Sequence, residues 1–194
     1  MYNQIDQYIF NCITLNESEL NFFHSILRFK KVKRKTLLLT MGEVCNFEAF
    51  IIKGCMRIYH IDENDQEVVL HFGTENWWVS DLASYTQNTP TQLNIQALED
   101  CELFIIEKQD KEKLFETVPQ FERMFRLMIQ KTHAALQQRF LNTLSKDAET
   151  RYKTFLLTYP EIPQRVAQHH IASFLGISAE FLSKIRTKMA KRHS

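Results

Sequence analysis

The side chains best suited to chemistry lie near the C-terminal end of the chain, spaced to share one face of a helix. Four polar residues recur at i, i+3, i+4 and i+7: Glu180, Ser183, Lys184 and Thr187. Four apolar residues recur on the remaining surface of the same helix: Phe181, Leu182, Ile185 and Met189. A carboxylate, hydroxyls and an ammonium group can accept from and donate to the edges of nucleic-acid bases. The stripe therefore predicts a surface that reads polar groups on a partner.

A shorter helix is predicted just before this stripe. Ile171, Phe174 and Leu175 have i, i+3, i+4 spacing, and Gly176-Ile177-Ser178 interrupts the pattern. Gly176 stands where a helix end needs a positive φ, and Ser178 can accept from the first N–H groups of the next helix. The pattern is typical of a helix-turn-helix, whose second helix enters the major groove of DNA. The alternative is a plain helical hairpin whose polar stripe only meets water.

The charge of the chain is distributed unevenly. From Gln164 to Ser194 there are six Lys or Arg residues and one acidic residue, Glu180. The whole chain has 24 basic and 23 acidic residues, which leaves 18 against 22 elsewhere. A basic segment on an otherwise acidic chain favours a polyanionic partner, because cations that bind DNA phosphates release counterions. Charge therefore favours DNA reading over the plain hairpin.

Length and composition limit the remaining classes. At 194 residues and 44% hydrophobic content, the chain can form one domain or two small ones. It has no apolar run of about 18 residues and no basic, apolar signal peptide at its start, so we expect a cytoplasmic protein without a membrane partner. Its cysteines show no metal-binding spacing and are expected to be buried apolar residues: Cys12, Cys45, Cys55 and Cys101.

The N-terminal two thirds change from a helical to a β pattern. Residues 1–25 are predicted to be helical, with a capped start at Asn16 to Glu19. Short β-runs then follow: Thr36–Leu39, Phe47–Ile52, Met56–Ile61, Glu67–Phe72, Asn94–Ala97 and Leu103–Ile106. Strands at this spacing predict an antiparallel, jelly-roll-like β-roll, which makes the fold class α+β. Asp62 to Asp65 is interpreted as a hairpin tip, because it lacks the Gly and Glu of an EF-hand calcium loop.

A long helix is predicted from Phe121 to Leu144, which contains no Gly or Pro. Its apolar stripe is longer than one small domain requires, so it is expected to pack on a second copy of the chain. The expected interface consists of Phe125, Met128, Ile129, Thr132 and Leu136. The alternative is that the stripe is wholly intramolecular core. A further helix, capped by Ser145 or Asp147, is predicted to run through Leu157, and Glu161-Ile162-Pro163 then links to the helix-turn-helix.

A β-roll, a long helix and a terminal helix-turn-helix, in this order, resemble the Crp/Fnr family of bacterial transcription regulators. The resemblance rests on Gly42-Glu43, on Ile51 to Gly54, on the Asp62 to Glu67 hairpin and on Ile171 to Ser178. It implies a cyclic-nucleotide-binding-like sensor domain (1–118), a dimerisation helix (119–144) and a DNA-binding domain (145–194). It also implies a homodimer on a pseudo-palindromic DNA site, with RNA polymerase as a further candidate partner.

The resemblance assigns roles to residues of the helix-turn-helix. The DNA-contacting residues it implies are Gln168, His169, Ser178, Ala179, Glu180, Ser183, Lys184, Thr187 and Lys188. The family's DNA-binding domain usually ends in a β-hairpin wing, whereas few residues follow the second helix here. Phosphate contacts are therefore expected from Lys188, Lys191 and Arg192, or from Gln168 and His169.

The pocket of the sensor domain departs from the family pattern. Members that bind cyclic nucleotides have a Gly-Glu pair and, about ten residues later, an Arg that neutralises the phosphate. The corresponding pocket residues here are Ser80, Asp81, Leu82, Thr91 and Gln92, with Thr132 on the long helix. Asp81 replaces the Glu, but Thr91 or Gln92 stands in place of the Arg, so cyclic AMP is expected to bind weakly or not to be the effector. Arg57 or Lys53 could supply the missing charge. No cofactor is assigned from the sequence.

Other chemistries lack their required residues. An iron–sulfur cluster needs closely spaced cysteines, and Cys12 stands alone before the roll. A cupin-like enzyme would need paired histidines, and His60 and His71 lack that spacing. No catalytic triad, carboxylate pair or phosphate loop is found, so we expect a protein that is not an enzyme and that holds no metal. The remaining alternative is a small-molecule-binding β-barrel protein, or a cupin-like enzyme, whose helical tail docks a protein partner.

Overall fold

The computed structural model describes residues 1–191 with their side chains and the backbone of Arg192, so the expectation for the Arg192 side chain lies outside the described residues. Its helices are α1 (Asn3–Phe10), α2 (Glu17–Ile26), α3 (Leu82–Gln87), α4 (Lys108–Thr117), α5 (Gln120–Ser145), α6 (Ala148–Thr158), α7 (Ile162–Arg165), α8 (Gln168–Leu175) and α9 (Ala179–Arg192). Its strands are β1 (Arg28–Val32), β2 (Leu37–Leu39), β3 (Phe47–Lys53), β4 (Met56–Ile61), β5 (Glu67–Gly73), β6 (Trp78–Val79), β7 (Leu93–Ala97) and β8 (Cys101–Glu107). The predicted α+β class is confirmed.

The strands form two four-stranded sheets. One has the order β1-β8-β3-β6 and the other the order β2-β7-β4-β5. The pairs β1–β8, β3–β8, β3–β6 and β2–β7 are antiparallel, with Phe50 opposite both Phe104 and Trp78. Non-consecutive neighbours in both sheets are those of a rolled, jelly-roll-like arrangement, as the strand spacing predicted.

The chain divides into two compact units. The first comprises Met1–Ile58 and Phe72–Thr132, and the second comprises Tyr59–His71 and the chain from His133 onward. In the first unit one apolar cluster packs α1, α2, α4 and the start of α5 on the β1–β8–β3 sheet, through residues such as Ile9, Phe23 and Phe121. A second cluster fills the roll and includes Leu39, Met56 and Ile95. The tip of the β4–β5 hairpin belongs to the second unit, which no sequence pattern indicated.

The predicted turns and caps are confirmed where the sequence supplied them. Asn16 and Glu19 form a capping box at the start of α2, and Asp147 accepts from the Thr150 N–H at the start of α6. Gly176 has a φ of 66° at the end of α8, a conformation that costs glycine little, and Ser178 accepts from the Phe181 N–H at 3.1 Å. The Asp62 carboxylate accepts from two N–H groups of its own turn, as expected of a hairpin tip.

Five elements were not predicted. One is the six-residue helix α3, which lies within the region where only short β-runs were expected. β1 has four exposed residues out of five, so its sequence, RFKKV, shows no buried face. β6 has only two residues, and α4 is strongly polar, so neither carries a periodic apolar signal. The segment expected to be a plain link, Glu161 to Pro163, begins the short helix α7 instead.

Candidate functional site

The predicted polar stripe lies on the exposed face of α9. Glu180, Ser183, Lys184 and Thr187 line an open concave surface together with Lys188 and Lys191. On the opposite face, Leu182 and Ile185 are buried, at 1% and 5% exposure. Phe181 contradicts the predicted apolar face, because 47% of its surface is exposed. It follows Glu180 directly and lies on the flank of the stripe rather than in the core.

Several side chains of this surface have no hydrogen-bond partner among the described residues. Those of Ser183, Lys184 and Lys191 make no hydrogen bond to any residue that the structure describes. The pKa of Glu180 is lowered, because its carboxylate accepts from its own N–H and from the Ser178 hydroxyl, with a smaller contribution from the Lys184 charge. An ionised Glu180 is an acceptor only, whereas Lys184 is a donor only. The surface therefore offers opposite hydrogen-bonding capacities one helical turn apart.

Other residues that the resemblance assigned to DNA have partners inside the second unit. Gln168 accepts from Arg186 at 3.0 Å and donates to the Ala179 carbonyl at 3.5 Å, so it connects the starts of α8 and α9. Lys188 donates to Glu149 of α6 at 2.8 Å. His169 is exposed, with its ring 3.9 Å from that of His170. These bonds show that Gln168 and Lys188 help to hold α9 in place.

An arginine that sequence reasoning missed connects strand β5 of the hairpin to the helix-turn-helix. Arg139 of α5 donates to the carbonyls of Val69 (3.2 Å), Leu70 and Phe174 (2.7 Å), and its guanidinium stacks 3.9 Å from the Phe174 ring. Ser173 of α8 donates to the Glu67 carbonyl at 2.5 Å and accepts from the Val69 N–H at 2.9 Å. In the sequence Arg139 is one more cation on a long polar helix, so no signal marked it.

This packing shifts the pKa of two titratable groups. Burial lowers the pKa of the Arg139 guanidinium. Burial, with a smaller contribution from the Arg139 charge, lowers the pKa of His71 to about 4, so this histidine is neutral at physiological pH. The contact between the hairpin and the helix-turn-helix therefore contains one cation, the Arg139 guanidinium, which donates to backbone carbonyls.

Residues predicted to line the effector pocket of the roll hydrogen-bond to one another and to the backbone. One oxygen of Asp81 accepts from the Ala83 and Ser84 N–H groups at the start of α3, and the other accepts from the Thr91 hydroxyl at 2.5 Å. The Thr91 oxygen in turn accepts from the Leu93 N–H at 2.9 Å. Asp81 and Thr91 are buried, at 6% and 3% exposure. Asp81 and Thr91, which the resemblance assigned to a ligand, thus hydrogen-bond within the protein.

Neighbouring polar groups follow the same pattern. The Ser84 hydroxyl donates to the Thr89 carbonyl at 2.6 Å, and the Ser80 hydroxyl donates to the Phe47 carbonyl at 2.9 Å. Arg57, the buried cation named as a substitute for the missing arginine, donates twice to the Gln96 amide oxygen, at 3.0 and 2.7 Å. Leu82 and Gln92 are exposed, and Thr132 is partly buried on α5. These residues do not fit a cyclic phosphate, since no cation among Ser80–Leu93 offers it a charge.

The stripe on α5 is exposed over only part of the predicted interface. Phe125 is 2% exposed and packs on Trp78 and Phe115, so it is core and cannot be offered to a partner chain. Met128 is partly buried against the same cluster. Five large apolar residues further along are exposed by 41–70%: Ile129, Leu136, Phe140, Leu141 and Leu144. The available apolar surface therefore begins near Ile129 and extends further toward the end of α5 than expected.

Two absences apply to the part of the chain that the structure describes. None of its helices is both long and apolar enough to cross a membrane. Among the same residues, no three His, Cys, Asp or Glu side chains cluster in a way that could hold a metal ion.

Comparisons with known proteins agree with this geometry. Residues 29–118 match the cyclic nucleotide-binding domain family. The fold is similar to that of the c-di-GMP responsive global regulator CLP from Xanthomonas campestris (18% identity, 92% of this chain and 93% of that one, TM-score 0.74). It is also similar to FixK2 from Bradyrhizobium japonicum (16% identity, 87% and 86%, TM-score 0.73).

A third solved structure, from Eubacterium rectale and assigned to transcriptional regulators of the Crp/Fnr family, shares 16% identity over 91% of this chain and 85% of its own, with a TM-score of 0.70. No curated protein matches the chain in sequence. Residues 29–118 are therefore similar to a cyclic nucleotide-binding domain, and the fold of the chain is that of these solved regulators.

Proposed function

We propose that this chain is a DNA-binding transcription regulator, not an enzyme, and that it inserts α9 into the major groove. The observation that carries the proposal is the exposed stripe on the second helix of a helix-turn-helix, where the side chains of Ser183, Lys184 and Lys191 make no hydrogen bond to a described residue. A protein that leaves such groups to water gains nothing from them in folding. A duplex supplies phosphates for the lysines and base edges for Glu180 and Ser183.

The chemistry of the stripe divides into reading and positioning. An ionised Glu180 accepts from a cytosine amino group, Lys184 donates to guanine or to a phosphate, and Ser183 can do either. Lys191 lies toward the end of α9 and His169 in the first turn of α8, and both are expected to meet phosphates rather than bases. Gln168 and Lys188 keep α9 in place through Arg186 and Glu149. Ala179, Ser178 and Thr187 complete the surface without a charge.

The regulator acts as a homodimer through α5. Ile129, Leu136, Phe140 and Leu144 leave an apolar strip exposed on one helix, and a second copy of the same helix is the partner that buries it symmetrically. Two copies of α9 then face half-sites about 34 Å apart on one side of a pseudo-palindromic duplex. Phe125 is excluded from this interface because it is core.

The effector site has diverged from cyclic nucleotides. Asp81 and Thr91 satisfy each other, and Arg57 is held by Gln96, so a cyclic phosphate would have to break buried hydrogen bonds before it met a cation. In isothermal calorimetry we expect neither cyclic AMP nor cyclic GMP to bind in the low-micromolar range. Binding of either that is lost in Asp81→Ala would contradict the assignment.

The experiment that tests DNA binding compares two matched double variants. Fluorescence anisotropy with a generic duplex at about 50–200 mM salt gives the affinity and its salt slope. Lys184→Ala with Lys191→Ala should reduce that slope by about 2, because each phosphate contact contributes about 0.9. The control, Lys30→Ala with Lys113→Ala, removes the same charge from β1 and α4 and should leave the slope unchanged.

Two results would count against the proposal. One is the absence of any salt-dependent duplex binding by the wild type, which would favour a tail that docks a protein partner. The other is an equal loss in the control variant, which would show that overall charge rather than the α9 surface binds the duplex.

A further inference from the structure

One side chain of α9 fits neither the buried face nor the polar stripe. Phe181 exposes 47% of its surface, whereas the adjacent Leu182 is 1% exposed. Among the described residues no aromatic ring stacks on it. Leaving half of a phenylalanine in water gives up apolar burial that an aromatic residue ordinarily contributes to a fold. The ring is therefore available to an apolar group of a partner.

The position of the ring is fixed by the start of the helix. The Phe181 N–H donates to the Ser178 hydroxyl at 3.1 Å, so the residue lies in the first turn of α9. Residues of the first turns are those that reach base edges in helix-turn-helix complexes. Phe181 precedes Lys184 by three positions and Lys188 by seven, so the three share one flank of the stripe. Lys188 is held there by Glu149.

We propose that Phe181 is a specificity-determining residue that packs on the C5 methyl group of a thymine in each half-site. The inference rests on the proposed DNA-binding function and names one base that the protein would recognise. The thymine methyl is the apolar group that the major groove presents, since the other edge groups are hydrogen-bond donors and acceptors. Glu180 and Lys184 would then read polar edges while the adjacent ring reads the methyl group.

The size of the effect follows from the group that is buried. Removing one methyl group from an apolar contact changes affinity by about fourfold. Replacing thymine by deoxyuridine removes that methyl group and leaves every hydrogen-bonding group of the base in place. The substitution therefore isolates the contact from the rest of the readout.

The probe is a duplex enriched from a random pool by the wild-type protein, remade with deoxyuridine at one thymine position at a time. Wild-type protein should bind about fourfold more weakly per half-site at one position and equally well at the others. Phe181→Ala should bind thymine and deoxyuridine versions equally, and Phe181→Leu, which keeps an apolar side chain, should retain part of the preference. Phe10→Ala is the matched control: it removes a similarly exposed ring (49%) from α1, outside α9, and should keep the full preference. Circular dichroism establishes that each variant is folded.

The outcomes distinguish failure of the thymine contact from failure of the proposed DNA-binding function. If no duplex is enriched from the pool, the proposed function fails and this inference fails with it. If a duplex is enriched but wild-type protein is insensitive to deoxyuridine at every position, only the thymine contact is overturned. The thymine contact is also overturned if Phe181→Ala weakens binding while keeping the preference, because the ring would then contact the sugar–phosphate backbone.

Discussion

In the effector pocket Asp81 and Thr91 hydrogen-bond each other out of contact with water, whereas on α9 the side chains of Ser183 and Lys184 hydrogen-bond no described residue at all. Both regions are rich in polar residues, and both correspond to binding sites in the resemblance to the family. The pocket uses its polar groups to hold α3 and β7 in place. The α9 surface leaves its polar groups exposed to solvent. Polar composition alone therefore does not distinguish the two regions; the hydrogen-bonding capacity that each leaves for a partner does.

The largest expected effect comes from preventing dimerisation while leaving α9 intact. Ile129→Asp with Leu136→Asp places two charges on the exposed strip of α5 without touching the core, unlike a change at the partly buried Met128. We expect a monomer by sedimentation, with affinity for a two-half-site duplex reduced by at least about 100-fold through lost avidity. Lys131→Asp, on the same helix, is the control. A wild-type mass for the double variant would show that the interface lies elsewhere.

The next effect tests whether the pocket is structural. Asp81→Ala removes the cap of α3 and leaves the buried Thr91 hydroxyl with only the Leu93 carbonyl, at 3.4 Å, as an acceptor. We expect a loss of about 2–4 kcal/mol in the free energy of unfolding, measured with urea, and unchanged DNA affinity of the folded protein. Leu82→Ala, at the adjacent exposed position, should cost much less. If the two variants proved equally stable, Asp81 would be available for a ligand after all.

A smaller effect is expected when one proposed base-reading side chain of α9 is removed. Glu180→Ala should leave the fold unchanged, because the side chain is exposed, and should relax preference at one base pair by roughly 5- to 150-fold. Binding to a set of duplexes that differ at single positions measures this. A uniform loss across all of them would mean that Glu180 positions α9 rather than reads a base.

The smallest effect concerns the contact at Arg139. The pKa of His71 is about 4 in the folded chain against about 6.5 in an unfolded one, so the unfolded state binds the extra proton as pH falls. Stability should therefore decrease below about pH 6.5, by up to about 1.4 kcal/mol per pH unit, until about pH 4. Urea unfolding followed by circular dichroism at about pH 7, 6 and 5 measures the slope. His71→Gln should flatten it, and identical slopes for both proteins would refute the assignment.

The sequence predicted those features that local chemistry determines. Gly176 and Ser178 defined the turn of the helix-turn-helix, and Asn16, Glu19 and Asp147 defined helix starts, because caps and turns depend on a few adjacent residues. The exposed stripe on α9 followed from spacing alone. Sequence reasoning failed where distant contacts decide the outcome. Phe125 and Phe181 are both apolar positions on helices, and only the packing around them makes one core and the other exposed.

The same limit applies to the pocket and to the hairpin. The Asp81–Thr91 bond joins residues ten positions apart, and nothing in their types distinguishes a mutual bond from a shared ligand. Arg139 bonds to carbonyls about 70 and 35 positions away, which carry no sequence signature. Partner identity over such separations is set by the fold.

The measurement that tests the DNA-reading role of α9 most directly is selection of duplexes from a random pool by wild-type protein and by Lys184→Glu. We predict that the wild type enriches a pseudo-palindrome whose half-site centres are about 10 base pairs apart, and that Lys184→Glu, which places a carboxylate on the α9 stripe, enriches nothing. Enrichment of the same sequence by both proteins would contradict the claim that α9 reads DNA. Failure of the wild type to enrich any sequence would contradict the proposed function itself.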